Sequence, residues 1–126
     1  MKNENLILKL IEMLMGESVE SSSNLGSSLI GEPVIIRCRD AGVHFGYLVG
    51  YEGRVVELKN SRRMWRWHSA SENTLSGVAR CGINQSKSKI QGKINGSIIL
   101  NEACEILPCT DVACHSIRDA EVYNVQ

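Results

Sequence analysis

Val34-Ile35-Ile36-Arg37-Cys38-Arg39, then Asp40-Ala41-Gly42, then Val43 to Tyr51 around Gly46, is the stretch that decides the fold class. A run of β-branched residues favours extended backbone and Asp-Ala-Gly is a turn signal, so two strands joined by a tight turn are predicted. Glu52-Gly53 marks the next turn, followed by Arg54-Val55-Val56-Glu57-Leu58 as a third strand. Asn60-Ser61 reads as a break before a fourth strand, Arg62 to His68. Short strands this closely spaced predict a mainly β (α+β) domain, with a small bent sheet or barrel-like β core.

Further along, Ser71, Asn73 or Thr74 is placed to cap a short helix through Leu75, Val78 and Ala79 that ends near Gly82. Lys87 to Ile94 and Ser97 to Leu100 read as extended arms about an Asn95-Gly96 hairpin turn. Cys104 to Leu107 is a last strand closed by Pro108, and Thr110-Asp111 opens a second short helix through Ile117, since threonine caps and aspartate suits the positive helix start. Upstream, residues 1–15 are predicted as an N-terminal amphipathic helix, with Leu6, Leu10 and Met13 on one row and Ile7, Ile11 and Leu14 on the next. Residues 16–30 form a Ser/Gly-rich linker, and 31–126 a single small β-rich domain. So wide an apolar stripe needs cover; it folds back on its own domain or pairs with copies of itself, and a homo-oligomer is the favoured outcome.

A chain of 126 residues that is 43% hydrophobic has room for one core. Lys plus Arg equals Asp plus Glu at 14 each, so affinity for a polyanion must come from local clustering. Glu4, Lys9 and Glu12 interrupt the N-terminal apolar run, which is too short to cross a bilayer; a cytoplasmic location away from membranes is expected. The five cysteines are odd in number and lack the close pairs of a disulfide framework, so reduced thiols are expected. Cys104, Cys109 and Cys114 are spaced by five, without the two-residue gap that presents paired thiolates to zinc; buried apolar thiols are expected instead, and neither metal nor cofactor.

Arg62-Arg63-Met64-Trp65-Arg66-Trp67-His68 carries the chemistry. It holds both tryptophans, and between Arg54 and His68 the basic residues Arg54, Lys59, Arg62, Arg63 and Arg66 face the single acid Glu57. Strand alternation puts Arg63, Trp65 and Trp67 on one side and Arg62, Met64, Arg66 and His68 on the other. Arginine forks match phosphate oxygens and an indole offers a base a stacking face, which points to a nucleotide-type ligand. Alternate tryptophans equally suit the core face of a small barrel, with the arginines solvated opposite. His44, between Gly42 and Gly46, is a further candidate ligand contact or a packed core residue, and His68 ends the strand where it can donate to a phosphate. No nucleophile elbow, Walker-type phosphate loop or paired acids occur, so a non-enzymatic role is expected.

The segments Ala41-Gly42-Val43-His44-Phe45-Gly46-Tyr47-Leu48, Asn60-Ser61-Arg62-Arg63-Met64-Trp65-Arg66-Trp67, and Ile98-Ile99-Leu100-Asn101-Glu102-Ala103 with Ile106-Leu107-Pro108-Cys109-Thr110 carry a resemblance. From about Gly31 to Thr110 the chain resembles an uncharacterised family of small proteins encoded by bacteriophages and prophages. It departs from that pattern at Ser61, Arg66 and His68, where the family shows alanine, an aromatic and glycine. The resemblance implies phage origin and not an activity; small phage domains without catalytic residues often act by binding. A counter-defence factor capturing a nucleotide-type anion through Arg62, Arg63, Trp65, Arg66, Trp67, His44 and His68 is the leading expectation. A small-barrel nucleic-acid-binding module and a protein-binding inhibitor of a host enzyme are the alternatives.

Overall fold

A computed structural model describes residues 25–123. In chain order it contains β1 (Pro33–Cys38), β2 (Val43–Glu52), β3 (Val55–Arg66), α1 (Leu75–Cys81), β4 (Lys89–Ile90), β5 (Ser97–Leu100), β6 (Ala103–Pro108) and α2 (Asp111–Arg118). The strands make one antiparallel sheet in the order β4-β3-β2-β1-β6, with β5 also paired to β3. The turn glycines act as expected: Gly42 and Gly53 take φ of 82° and 58°, values that cost a residue without Cβ little.

Two sequence expectations are corrected here. Asn60-Ser61 does not break the chain: Val55 to Arg66 is one strand, because Asn60 absorbs a left-handed φ of 51° that its short polar side chain tolerates, while the pairing shifts register opposite Phe45 to Tyr47. The strand also ends at Arg66, leaving Trp67 and His68 beyond it. Nor do the arms about Asn95-Gly96 pair with each other. Gly96 turns with φ of 91°, yet β4 pairs with Met64 and Arg66 while β5 pairs with Val56 to Lys59, so the arms lie in series along one edge of β3. The long strand offers more ladder than a hairpin of two short arms.

Both short helices form where their caps predict. Gly77 N–H donates to the Thr74 hydroxyl at 3.0 Å, and Ala113 N–H to the Thr110 hydroxyl at 3.1 Å. They cover one face of the sheet, where Ile35, Phe45 and Met64 meet Val78 of α1 and Ile117 of α2. The opposite face buries Val34, Ile36, Leu48, Val56, Leu58 and Leu100. The inner strand β1, between β2 and β6, is thus apolar on both sides over Val34 to Ile36, which is why it opens as a hydrophobic run.

Only Asn101 and Glu102 separate β5 from β6, although β5 pairs with β3 and β6 with β1. Leu100 to Ala103 spans at most about 11 Å, so edges two strands apart are drawn together. Ala103 N–H donates to the Arg54 carbonyl at 3.0 Å while Ala103 lies in register with Cys38. The sheet is open in its hydrogen bonding and strongly bent.

The helix expected over residues 1–15 and most of the linker lie outside the described residues. From Leu25 onward the linker carries a single 3-10 turn, Ser27–Leu29, and then joins β2: Gly31 N–H donates to the Leu48 carbonyl at 2.7 Å, and Leu48 N–H to the Glu32 carbonyl at 3.1 Å. Among the described residues no helix is long and apolar enough to cross a membrane.

Candidate functional site

A helix leaves its last carbonyls without intrahelical partners, and its C-terminal end attracts a cation. Here Arg62 of β3 supplies both needs. Its Nη1 donates to the carbonyls of Ile117 at 2.8 Å, Arg118 at 3.0 Å and Ala120 at 2.8 Å, and its Nε donates to the Gln91 carbonyl at 2.8 Å. The side chain is 5% exposed and Nη2 is buried with no hydrogen-bond partner. Burial lowers the Arg62 pKa from its ordinary value, as desolvation of a cation does when only neutral carbonyls surround it.

Past α2 the chain continues as a strap over β4. Tyr123 N–H donates to the Ile90 carbonyl at 2.8 Å, and Val122 bridges in parallel to Ile90. Between strap and sheet lies a cavity of about 440 Å³. Phe45 and Tyr47, two apart on β2, give it an aromatic lining, with the rings edge to face at 5.9 Å. Its charged lining is Arg62, Lys93 and Arg118, with no carboxylate. The Tyr47 hydroxyl and then Asp119, both beside Arg118, raise its pKa above the ordinary value, so it stays a cation. The Asp119 carboxylate accepts from Arg118 at 3.4 Å, whereas Lys93 enters no ion pair among the described residues. A second cavity of about 750 Å³ shares Ala120 and Val122 with the first, and its charged lining is instead Asp119 and Glu121.

The residues singled out in the sequence do not converge on one place. Arg62 lines the cavity. His44 points to the other face of the sheet; it is 1% exposed, its Nε2 donates to the Ala41 carbonyl at 2.8 Å, and its Nδ1 is buried without a partner. Burial, reinforced by nearby Arg63, lowers the His44 pKa and keeps the ring neutral. Arg63 is exposed and donates to the same Ala41 carbonyl at 3.0 Å.

Trp65 is 57% exposed, with its indole stacked on Tyr123 at 5.4 Å and 7° between planes, and Lys89 Nζ lies 5.1 Å and 4.7 Å from the two rings. Arg66 is exposed and in register with Lys89. Trp67 is half-buried and packs on the helix-covered core. The common face expected for Trp65 and Trp67 is therefore corrected: the pairing shifts register between Met64 and Arg66, and alternation is lost past the strand end. His68 is half-buried and engages through its backbone, its N–H donating to the Ser88 hydroxyl at 3.0 Å.

Phe45, Tyr47, Lys93 and Arg118 were not read as site residues from the sequence. The period-two pair Phe45 and Tyr47 was a usable signal; nothing local to Lys93 or Arg118 points to β3. All five cysteines are free thiols, Cys38 and Cys114 buried and Cys104 exposed, and among the described residues no group of His, Cys, Asp or Glu is arranged to hold a metal ion.

Fold and site together define a small bent-sheet protein with a cation-lined cavity under a C-terminal strap. Residues 31–117 match the family described as Domain of unknown function (DUF6948), and the chain belongs to that family. No curated protein matches it.

Proposed function

We propose that this chain is a non-enzymatic binding protein that captures a small anion of nucleotide type in the cavity beneath the strap. One observation carries the reading: Arg62 lines the cavity with a buried, partnerless Nη2, and every other charged residue of the lining is also cationic. A buried cation solvated by carbonyls alone lacks a counter-charge. A phosphate in the cavity supplies it, accepting from Lys93 and Arg118 beside Arg62, while the half-buried Tyr47 ring offers an aromatic surface to a base. The volume falls in the range of small-molecule sites, roughly 300–1,000 Å³. No histidine or carboxylate enters the lining, which favours capture over turnover.

The resemblance to phage and prophage proteins supports a counter-defence role in the host cytoplasm, in which the captured anion is a host immune nucleotide. Residues 3–15 hold copies of the chain together in this reading. Leu6→Glu with Leu10→Glu lowers the mass measured by light scattering; an unchanged mass removes the self-association.

Isothermal titration calorimetry with AMP, ADP, cyclic AMP and a cyclic dinucleotide tests the ligand class, with inorganic phosphate as control. Binding heat from at least one nucleotide is expected, weakened about tenfold or more by Lys93→Ala and by Arg118→Ala, as for loss of a charged hydrogen bond. Silence across the panel rejects the proposal.

A further inference from the structure

Trp65 is the largest kind of side chain and the usual candidate for burial, yet more than half of it is exposed on β3. Tyr123 covers part of the indole and fixes its plane, and Lys89 sits against both rings. The ring is therefore held rather than loose, with a π surface still open to solvent. Arg63 lies two residues earlier at an exposed position of the same strand, its guanidinium donating to the Ala41 carbonyl, and Arg66 is paired in register with Lys89. None of Arg63, Arg66 or Lys89 enters an ion pair among the described residues, whose ion pairs are Arg37–Glu105, Arg80–Glu72 and Arg118–Asp119. A rigid exposed aromatic among uncompensated cations is an unusual local arrangement in a chain of zero net charge.

We infer that the Arg63, Trp65, Arg66, Lys89 and Tyr123 surface is a docking surface for single-stranded nucleic acid, separate from the cavity. A base stacks on the open face of Trp65 and the flanking cations meet backbone phosphates. Charge complementarity selects a polyanion, and the pre-stacked ring selects one whose bases are free to leave their own stack. A duplex keeps its bases paired and offers the indole nothing. Stacking tolerates any base, so the surface binds with little sequence preference.

The test uses the full chain with a fluorescein-labelled oligothymidylate, followed by anisotropy and tryptophan quenching, beside a duplex of similar length and heparin. The single strand is expected to bind, to quench tryptophan emission, and to weaken steeply with salt as counterions are released. Trp65→Ala should weaken binding about tenfold while Trp65→Phe retains most of it. Arg66→Glu with Lys89→Glu should abolish binding and, by circular dichroism, leave the fold in place. Equal affinity for single strand, duplex and heparin, or indifference to Trp65→Ala, overturns the inference, because either result leaves only nonspecific charge attraction. So does absence of binding by a folded wild-type chain. None of these readouts depends on the cavity, whose variants Lys93→Ala and Arg118→Ala should bind the oligothymidylate as the wild type does.

Discussion

Arg62 Nη1 donates to the Ala120 carbonyl at 2.8 Å, linking the middle of the longest strand to a point 58 residues later in the chain. The same nitrogen holds Ile117 and Arg118 carbonyls, so this one guanidinium ends α2 and starts the strap. The arrangement assigns Arg62 a structural duty before any ligand arrives.

Arg62→Ala is accordingly expected to lower stability by about 3 kcal/mol, since it removes charge-assisted hydrogen bonds and leaves buried carbonyls unpaired. Arg63→Ala, at an exposed position, should change it by no more than about 0.5 kcal/mol. Urea unfolding of the two variants measures the difference; similar midpoints would contradict the role given to Arg62.

The two tryptophans should differ in the same assay. Trp67, half-buried on the helix-covered core, should cost about 2–3 kcal/mol on replacement by alanine, below the range for a fully buried indole. Trp65→Ala should cost about 1 kcal/mol, the worth of its aromatic stacking. A larger loss at Trp65 would mean that the strap depends on that stack for its position.

His44 gives stability a pH dependence of definite sign. Burial lowers its folded pKa below the ordinary 6.5, so the unfolded chain takes up a proton first as the medium is acidified. Its contribution is complete above about pH 6.5 and is lost as pH falls through the folded pKa. Melting temperature should drop between about pH 7 and pH 5.5 in the wild type, and less in His44→Gln. Parallel curves for the two proteins would show that His44 is not the group responsible.

Thiol chemistry should separate the cysteines. Burial pushes the Cys109 thiol up to about 12 and raises that of Cys38 as well, while Cys104 is exposed. Iodoacetamide near pH 8, followed by peptide mass spectrometry, should modify Cys104 well before Cys109, because the thiolate is the nucleophile. Equal rates would place Cys109 in a more open setting.

How far the sequence was legible follows from the range of each interaction. Thr74 and Thr110 cap through bonds three residues long, and Asp40 to Gly42 turns within its own span; such local signals survived folding intact. Asn60 was read as a break because asparagine marks turns, but the same tolerance of positive φ let it serve inside a strand. Arg62 was legible as a charge but not as a structural clamp. Its charge argued for solvent or ligand, and the carbonyls that bury it belong to residues 91, 117, 118 and 120, which no local pattern connects to β3. The cavity was invisible for the same reason, since its strap and Lys93 meet β2 and β3 only in the folded chain.

The two-residue step from Leu100 to Ala103 constrains when this protein is able to fold. Strand β1 lacks its β6 neighbour until residues 103–108 are in place, and the guanidinium on β3 lacks three of its four carbonyl acceptors until residues 117–120 are. The bent sheet is therefore reachable only once these distant segments are all available, whatever the order in which its strands form. Loss of residues 117–120 would leave every strand present and Arg62 without most of its acceptors.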